Sequence, residues 1–187
     1  MSIVIIVKSI TSPQVISALQ HNELIIAPTD TIYGILATAQ NQQAIDKLYR
    51  VQHRSLNKPC IVLIDHLEFI PNLTADQRQT YNKLNSERPT TIITTVSDNF
   101  LPHAPRNNHT LAFRVIHGEL TTLIKNIGPI LAPSANPEGL PPAKDINQAI
   151  DYFGEQISVY VDGGQITQDN PSRIVSLTDN NFKIIRD

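Results

Sequence analysis

The sequence has no tryptophan and a single cysteine, Cys60, among its 187 residues. One cysteine excludes an internal disulfide and any metal site built from several cysteine ligands. No apolar run approaches the roughly 20 residues that a membrane-spanning helix needs. Residues 1–8 have no basic start and no small-residue cleavage site, which argues against a signal peptide. These absences favour a soluble, cytoplasmic protein, and the length favours one domain over residues 1–187.

Charge is also scarce, because only 17% of the residues are charged and the net charge is −2. A surface that is basic overall, as nucleic-acid binding would favour, is therefore excluded, although a local basic patch stays open. The sequence contains no Walker A or GxGxxG loop, and Ser134 does not lie in a Gly-x-Ser-x-Gly elbow. The six histidines lack the spacing of metal ligands, so no dedicated metal site is predicted.

Apolar runs alternate with amphipathic segments along the chain. Strands, the first of them buried, are predicted over residues 2–7, 24–27, 32–39, 60–64, 90–96, 110–116, 130–132, 157–161, 174–177 and 182–185. Helices are predicted after Ser12-Pro13, Asn41 and Thr74 and over residues 120–126 and 146–153. The proline-containing stretch 97–109 predicts a loop, either a mobile lid or a plain excursion. Interleaved strands and helices predict an α/β fold with a mixed sheet.

Two polar loops follow predicted strands. The first, Pro28-Thr29-Asp30-Thr31-Ile32-Tyr33-Gly34, begins where Pro28 ends its strand, because proline has no N–H for the sheet. The second is Ala132-Pro133-Ser134-Ala135-Asn136. Open α/β sheets bind ligands at the carboxyl ends of their strands, so these loops are candidate binding loops. A plain polar turn is the alternative for the first loop.

A set of cations accompanies these loops. Arg54 and Lys58 lie in one segment, Arg114 lies in an otherwise apolar strand, and Ser172-Arg173 precede another strand. A charged residue on a central strand is rarely buried unless it is paired or directed at a ligand. We therefore expect Arg114 to bind a ligand, with a structural ion pair as the alternative. For Arg54 and Lys58 a solvated surface position is the alternative. Such cations suit a ligand with phosphates and a carboxylate.

Five motifs in this order resemble the YrdC-like family of threonylcarbamoyl-AMP synthases, in its short, single-domain form. They are Pro28 to Gly34, Arg54 with Asn57-Lys58-Pro59, Thr110 to Val115, Ala132 to Asn136 with Gly139-Leu140-Pro141-Pro142, and Asp162-Gly163-Gly164 with Pro171-Ser172. The resemblance extends over nearly the whole chain. It implies a twisted, open, mixed α/β sheet with flanking helices and a deep, positively lined cavity on one face.

The resemblance also implies an activity, that of a nucleotidyltransferase. Such enzymes join L-threonine, bicarbonate and ATP into threonylcarbamoyl-adenylate and release pyrophosphate. Partner proteins then transfer the threonylcarbamoyl group to tRNA, which is the t6A modification, and weak binding of tRNA itself is compatible with this role. Mg²⁺ is expected to arrive with ATP rather than in a dedicated protein site, and no membrane partner is expected.

The matching positions imply the site residues. The residues expected at threonine are Thr29, Thr31, Tyr33 and Arg114. The residues expected at the nucleotide are Arg54, Lys58, Ser134, Asn136, Ser172 and Arg173. Within these sets Tyr33 would shape the pocket and Arg114 would pair with the threonine carboxylate. Arg54 and Lys58 would be catalytic, because they would neutralise charge on the triphosphate.

Two positions depart from the family pattern. Gln52 stands where the family usually has a lysine, two residues before Arg54, and Arg173 stands where it commonly has threonine. The lost cation would weaken ATP binding or turnover unless Lys58 or Arg50 supplies the charge, and Arg173 could restore a charge on another wall.

Two alternative functions stay open for the chain. One is a relative that handles carbamoyl-adenylate, although such domains usually occur in much longer chains. The other is a non-catalytic RNA-binding module of the same fold, which the overall acidity of the sequence disfavours.

Overall fold

The computed structural model describes residues 4–167, 171–178 and 182–187. These ranges contain ten strands: β1 Ile5–Val7, β2 Ile25–Pro28, β3 Tyr33–Thr38, β4 Ile61–Ile64, β5 Thr90–Thr95, β6 Thr110–Val115, β7 Ile130–Leu131, β8 Val159–Val161, β9 Arg173–Ser176 and β10 Lys183–Arg186. They also contain five α-helices: α1 Pro13–Gln20, α2 Gln42–Val51, α3 Ala75–Glu87, α4 Glu119–Ile127 and α5 Ile146–Phe153. Short 3₁₀ turns occupy Leu67–Phe69 and Gly154–Gln156. Nearly every predicted element is confirmed, with ends that differ by a few residues.

The strands form one open sheet in the order β1-β8-β2-β3-β7-β4-β6-β5-β9-β10. The pairs β1–β8, β8–β2, β4–β6 and β5–β9 are parallel. The pairs β2–β3, β3–β7, β7–β4, β6–β5 and β9–β10 are antiparallel. The predicted α/β fold with an open, mixed sheet is therefore confirmed.

Helices cover both faces of the sheet, because successive strand residues point to opposite sides. Ile25 packs in a cluster with α1 and α4, whereas its neighbour Ile26 packs in a larger cluster with α2, α3 and α5. The helices begin where the sequence predicts. Asn41 Oδ1 accepts a hydrogen bond from the Ala44 N–H at 3.1 Å, and Thr74 forms the expected capping box with Gln77.

The first strand differs from its prediction. Residues 2–7 are expected to form a buried strand, but β1 has only three residues, and Ile5 and Ile6 are 40% and 51% exposed. The reason is its position at the edge of the sheet, where it pairs only with β8. Residues 2 and 3 lie outside the described residues. Within the described ranges, no helix is long and apolar enough to cross a bilayer.

Tyr81 is the fully buried side chain that fastens α3 to the sheet. Its hydroxyl donates to the Thr90 carbonyl at 2.8 Å and accepts from the Val115 N–H at 3.0 Å. Burial raises the pKa of Tyr81 to about 12, so the hydroxyl keeps its proton at neutral pH. One phenol thus satisfies two buried backbone groups on neighbouring strands, directly beside Arg114.

We expect Tyr81→Phe to lower the free energy of unfolding by about 1–3 kcal/mol, because it leaves a buried N–H and a buried carbonyl without partners. Urea denaturation followed by circular dichroism measures this loss. Tyr152→Phe is the matched control, because the half-buried Tyr152 hydroxyl bonds only to the Gln148 side chain among the described residues. Equal losses in the two variants would contradict the role given to Tyr81.

Candidate active site

A cavity of about 280 Å³ opens where the two polar loops meet. Its polar and charged lining residues are Thr29, Thr31, Arg54, Arg114, Ser134, Ser172 and Arg186. They come from both loops, from the segment after α2, from β6, from the residue directly before β9 and from β10. The lining brings together six of the ten site residues expected from the sequence and adds Arg186.

Gly34 allows the two loops to approach each other. It pairs with Ser134 in an isolated β-bridge, and the Ala135 N–H donates to the Tyr33 carbonyl at 2.8 Å. A Cβ atom at Gly34 would lie 3.3 Å from both the Pro133 carbonyl oxygen and the Thr29 methyl group. Glycine favours this close contact, because a Cβ would force its neighbours to shift by a few tenths of an ångström, and the contact forms one wall of the cavity.

The first loop is closed by Thr29. Its hydroxyl donates to the Ile32 carbonyl at 2.7 Å and lies 3.2 Å from the Thr31 hydroxyl. Pro28 is the last residue of β2, as predicted. The loop is thus a turn closed by its own hydrogen bonds, and it presents the hydroxyls of Thr29 and Thr31 to the cavity.

Tyr33 lies behind the loop, outside the cavity lining. Its hydroxyl donates to the Gly164 carbonyl at 2.8 Å and accepts from the Gly163 N–H at 3.0 Å. A Cβ atom at Gly163 would come within 2.4 Å of the Pro28 ring. The phenol therefore fixes the 162–164 turn against the start of the loop, and it shapes the cavity only by supporting that loop.

Arg114 is the most deeply buried charge in the cavity wall, with 4% of its side chain exposed. Its Nη2 lies 2.9 Å from Oδ1 of Asp30, and its Nε has no hydrogen-bond partner among the described residues. Burial lowers the pKa of Arg114, and the nearby Asp30 carboxylate opposes that shift. The ion pair that the sequence left as an alternative is present, and it lies at the cavity.

Arg54 and Lys58 occupy different positions although they share one segment. Arg54 lines the cavity, and its guanidinium donates to the carbonyls of Lys58 at 3.2 Å and of Pro59 at 2.9 Å. Lys58 lies outside the lining, where its ammonium pairs with Glu138 and lowers the pKa of that carboxyl. This pair links the segment after α2 to the second loop.

Gln52 holds the second loop from the inside. It is 3% exposed, and its Nε2 donates to the carbonyls of Ser134 at 2.7 Å and Asn136 at 3.2 Å. The backbone carbonyl of Gln52 accepts from the Glu138 N–H at 2.9 Å. The position at which the sequence suggests a missing phosphate-binding cation is therefore occupied by a neutral side chain that fastens the loop carrying Ser134.

Asn136 also lies outside the lining. Its Nδ2 donates to the carbonyls of Pro137 and Leu140, at 3.0 and 2.8 Å, and holds the turn after the second loop. No group of three or more His, Cys, Asp or Glu side chains that could hold a metal ion is found in the described part of the chain.

Near the C-terminal edge, Ser172 lines the cavity and Arg173 does not. The Ser172 hydroxyl lies 2.9 Å from that of Thr91, whereas Arg173 pairs with Glu87 at 3.1 Å and Asp187 at 2.8 Å. The two residues are neighbours in an extended chain, so their side chains point to opposite sides.

The structure instead brings Arg186 of β10 to the cavity, where Nη2 donates to the Ser172 carbonyl at 2.7 Å. Sequence reasoning missed this arginine, because only the pairing of β9 with β10 places it there. The one signal in the sequence is that Arg186 is a charged residue directly after the predicted strand 182–185.

Comparison with known proteins gives consistent matches. The family model Sua5_yciO_yrdC, described as "Telomere recombination", matches residues 17–187. A threonylcarbamoyl-AMP synthase of Acinetobacter baumannii is 31% identical over 170 residues, which cover 84% of this chain and 89% of that protein.

Solved structures of similar fold also match. P. abyssi Sua5 complexed with L-threonine has a TM-score of 0.81 at 24% identity, and the match covers 98% of this chain but only 57% of that one. E. coli YciO has a TM-score of 0.80 at 17% identity, with 100% and 96% covered. At these identities the two likenesses establish the fold alone.

We expect Gln52→Glu to lower the free energy of unfolding by about 1–3 kcal/mol, because a carboxylate cannot donate to the two loop carbonyls and would repel them. Amide hydrogen exchange at Glu138 should also become faster as the loop loosens. Urea denaturation and exchange measured by NMR test both effects.

Gln43→Glu is the matched control for this variant. It makes the same chemical change at an exposed position in α2, the helix that Gln52 directly follows, and Gln43 has no side-chain hydrogen bond among the described residues. If the two variants unfold and exchange alike, Gln52 does not hold the loop.

Proposed function

The chain belongs to the Sua5/YciO/YrdC family, and from this premise we propose that it is an L-threonylcarbamoyladenylate synthase. It joins L-threonine, bicarbonate and ATP and releases pyrophosphate, as a nucleotidyltransferase that serves the t6A modification of tRNA. One observation carries the proposal. Among the described residues, three guanidinium groups and four hydroxyl groups line a single cavity.

The proposed reaction needs positioning and charge neutralisation rather than a protein nucleophile. The threonine amine attacks bicarbonate, water leaves, and a carbamate forms. A carbamate oxygen then forms a bond to the α-phosphorus of ATP, and the bond to the β-phosphate oxygen breaks, so that pyrophosphate leaves with the electron pair. Guanidinium groups on a rigid wall stabilise the negative charge of such a transition state.

The threonine end of the cavity consists of Thr29, Thr31 and Arg114. The carboxylate of threonine pairs with Arg114, and the two loop hydroxyls contact the rest of the amino acid. Tyr33 acts from behind, through its hydrogen bonds to the 162–164 turn. The rigidity of the loop supports this assignment, since a site built on a fixed turn orients a small substrate well.

The nucleotide end consists of Arg54, Ser134, Ser172 and Arg186. Lys58 lies at the rim and reaches a bound triphosphate by exchanging its partner Glu138. Asn136 and Arg173 contribute less directly, by holding the turn and the strand beside Ser134 and Ser172.

The proposal also covers the metal ion, the transfer of the product to tRNA and the extent of the domain. Mg²⁺ arrives bound to the phosphate oxygens of ATP, which are its preferred ligands. Partner proteins transfer the threonylcarbamoyl group to tRNA, in the cytoplasm. Residues 1–187 act as one YrdC-like domain.

Purified protein should release pyrophosphate when threonine, bicarbonate and Mg-ATP are all present, and the rate should fall to background when threonine is omitted. Serine should support the reaction poorly, because it lacks the methyl group that threonine presents. A coupled pyrophosphate assay measures both rates. Arg114→Ala, prepared in the same way, controls for a contaminating enzyme. The absence of any threonine-dependent release would refute the proposed activity.

The two arginines near the C-terminus should differ in their effect on ATP. We expect Arg186→Gln to raise the KM for ATP by about tenfold or more, because it removes a charged donor from the cavity. Arg173→Gln makes the same change outside the lining and should leave that KM within about twofold, although the sequence placed Arg173 at the nucleotide. Steady-state kinetics at saturating threonine separates them, and the reverse order would restore the assignment from sequence.

A further inference from the structure

Asp30 supplies the counter-charge of the buried Arg114. Its Oδ1 lies 2.9 Å from the guanidinium, and among the described residues no second carboxylate lies within ion-pairing distance of Arg114. Taking a guanidinium out of water without a partner is costly, so the buried position of Arg114 depends on this carboxylate. Asp30 is therefore part of the electrostatics of the site, although the reaction described above gives it no role.

The Asp30 carboxylate lies beside any ligand that pairs with Arg114, because it contacts the guanidinium that lines the cavity. Its side chain is 26% exposed, and it lies between Thr29 and Thr31, whose side chains both line the cavity. Asp30 itself lines an adjoining groove of about 300 Å³, which shares Thr29 with the cavity.

Other charges face this groove as well. They are Lys8, which is paired with Asp162, and His117 and Glu119 at the start of α4. Lys8 pairs with Asp162 and not with Asp30, so Arg114 is the cation that pairs with the Asp30 carboxylate among the described residues.

A ligand carboxylate that pairs with Arg114 must come close to the Asp30 carboxylate, because both then share one guanidinium. Two carboxylates at one site repel each other, and the repulsion is strong where water is partly excluded. An α-amino acid removes this conflict, since its ammonium group lies next to its carboxylate and can pair with Asp30. The pair of fixed charges thus matches a zwitterion better than it matches a simple carboxylic acid.

We propose that Asp30 binds the α-ammonium group of the amino-acid substrate as it enters the site, before that group loses its proton to water and attacks bicarbonate as the free amine, and that Asp30 and Arg114 together select an α-amino acid over the corresponding acid without the amine. This inference rests on the proposed function, because it takes threonine as the ligand of Arg114. Asp30 is then a specificity-determining residue of the threonine end. Its carboxylate pairs with Arg114 alone in the free protein and also with the ammonium group when the amino acid is bound.

The test compares two ligands that differ only in the amine, L-threonine and (R)-3-hydroxybutyrate. Isothermal titration gives the dissociation constant of each for the wild-type protein, Asp30→Asn and Asp98→Asn. Asp98 is the matched control, because it pairs with Arg106 and His109 in the 97–109 loop. The wild-type protein should prefer threonine, and Asp30→Asn should reduce the ratio of the two constants by about tenfold or more, since a charged partner is lost. Asp98→Asn should leave the ratio unchanged.

Each other outcome overturns the inference. If Asp30→Asn weakens or abolishes binding of both ligands alike, Asp30 only holds Arg114 in place. If both ligands bind more tightly by the same factor, Asp30 only competes with ligands for Arg114. In these cases the wild-type protein still binds threonine, so the proposed function stands. A wild-type protein that does not bind threonine would refute the proposed function, and the role of Asp30 with it.

Discussion

The approach of Gly34 to Ser134 is the contact on which the cavity depends. It is possible because β3 lies between β2 and β7 and is antiparallel to both. The loop after β2 and the loop after β7 therefore lie at the same end of the strands. Without a Cβ at Gly34, the backbones can lie close enough to leave one continuous wall. The hydroxyls of Thr29 and Thr31 then face the same space as Ser134.

The elements of the fold were predictable because they depend on local patterns, and the strand order was not. Runs such as 60–64 and 110–116 mark strands through apolar and β-branched residues, and Asn41 and Thr74 mark helix starts through caps. Nothing local indicates that the two-residue β7 lies between β3 and β4. The same limit explains β1, since an apolar run reads as buried whether its strand is central or at an edge.

The residues of the candidate site also divide into those that local motifs predict and those whose position depends on the three-dimensional fold. Residues on loops that directly follow strands, such as Thr31 and Ser134, were placed at the cavity by their motifs. Arg173 was expected beside its neighbour Ser172, but side chains alternate along a strand, so adjacent residues cannot both face one cavity. Gln52 was interpreted as a missing cation because the sequence shows that this residue is uncharged but does not show which groups it hydrogen-bonds. Its three hydrogen bonds to the second loop depend on contacts across more than eighty positions of the chain.

The charged side chains of the cavity differ in how they are paired. Arg114 is neutralised by Asp30. Arg54 and Arg186 donate only to backbone carbonyls, and among the described residues no carboxylate pairs with either. A charge pair suits a zwitterion, whereas guanidinium groups without a carboxylate partner suit a triphosphate. Under the proposed function, this difference distinguishes the two substrates, because the phosphates gain most from the guanidinium groups that have no carboxylate partner and a triphosphate placed beside Asp30 would meet a carboxylate.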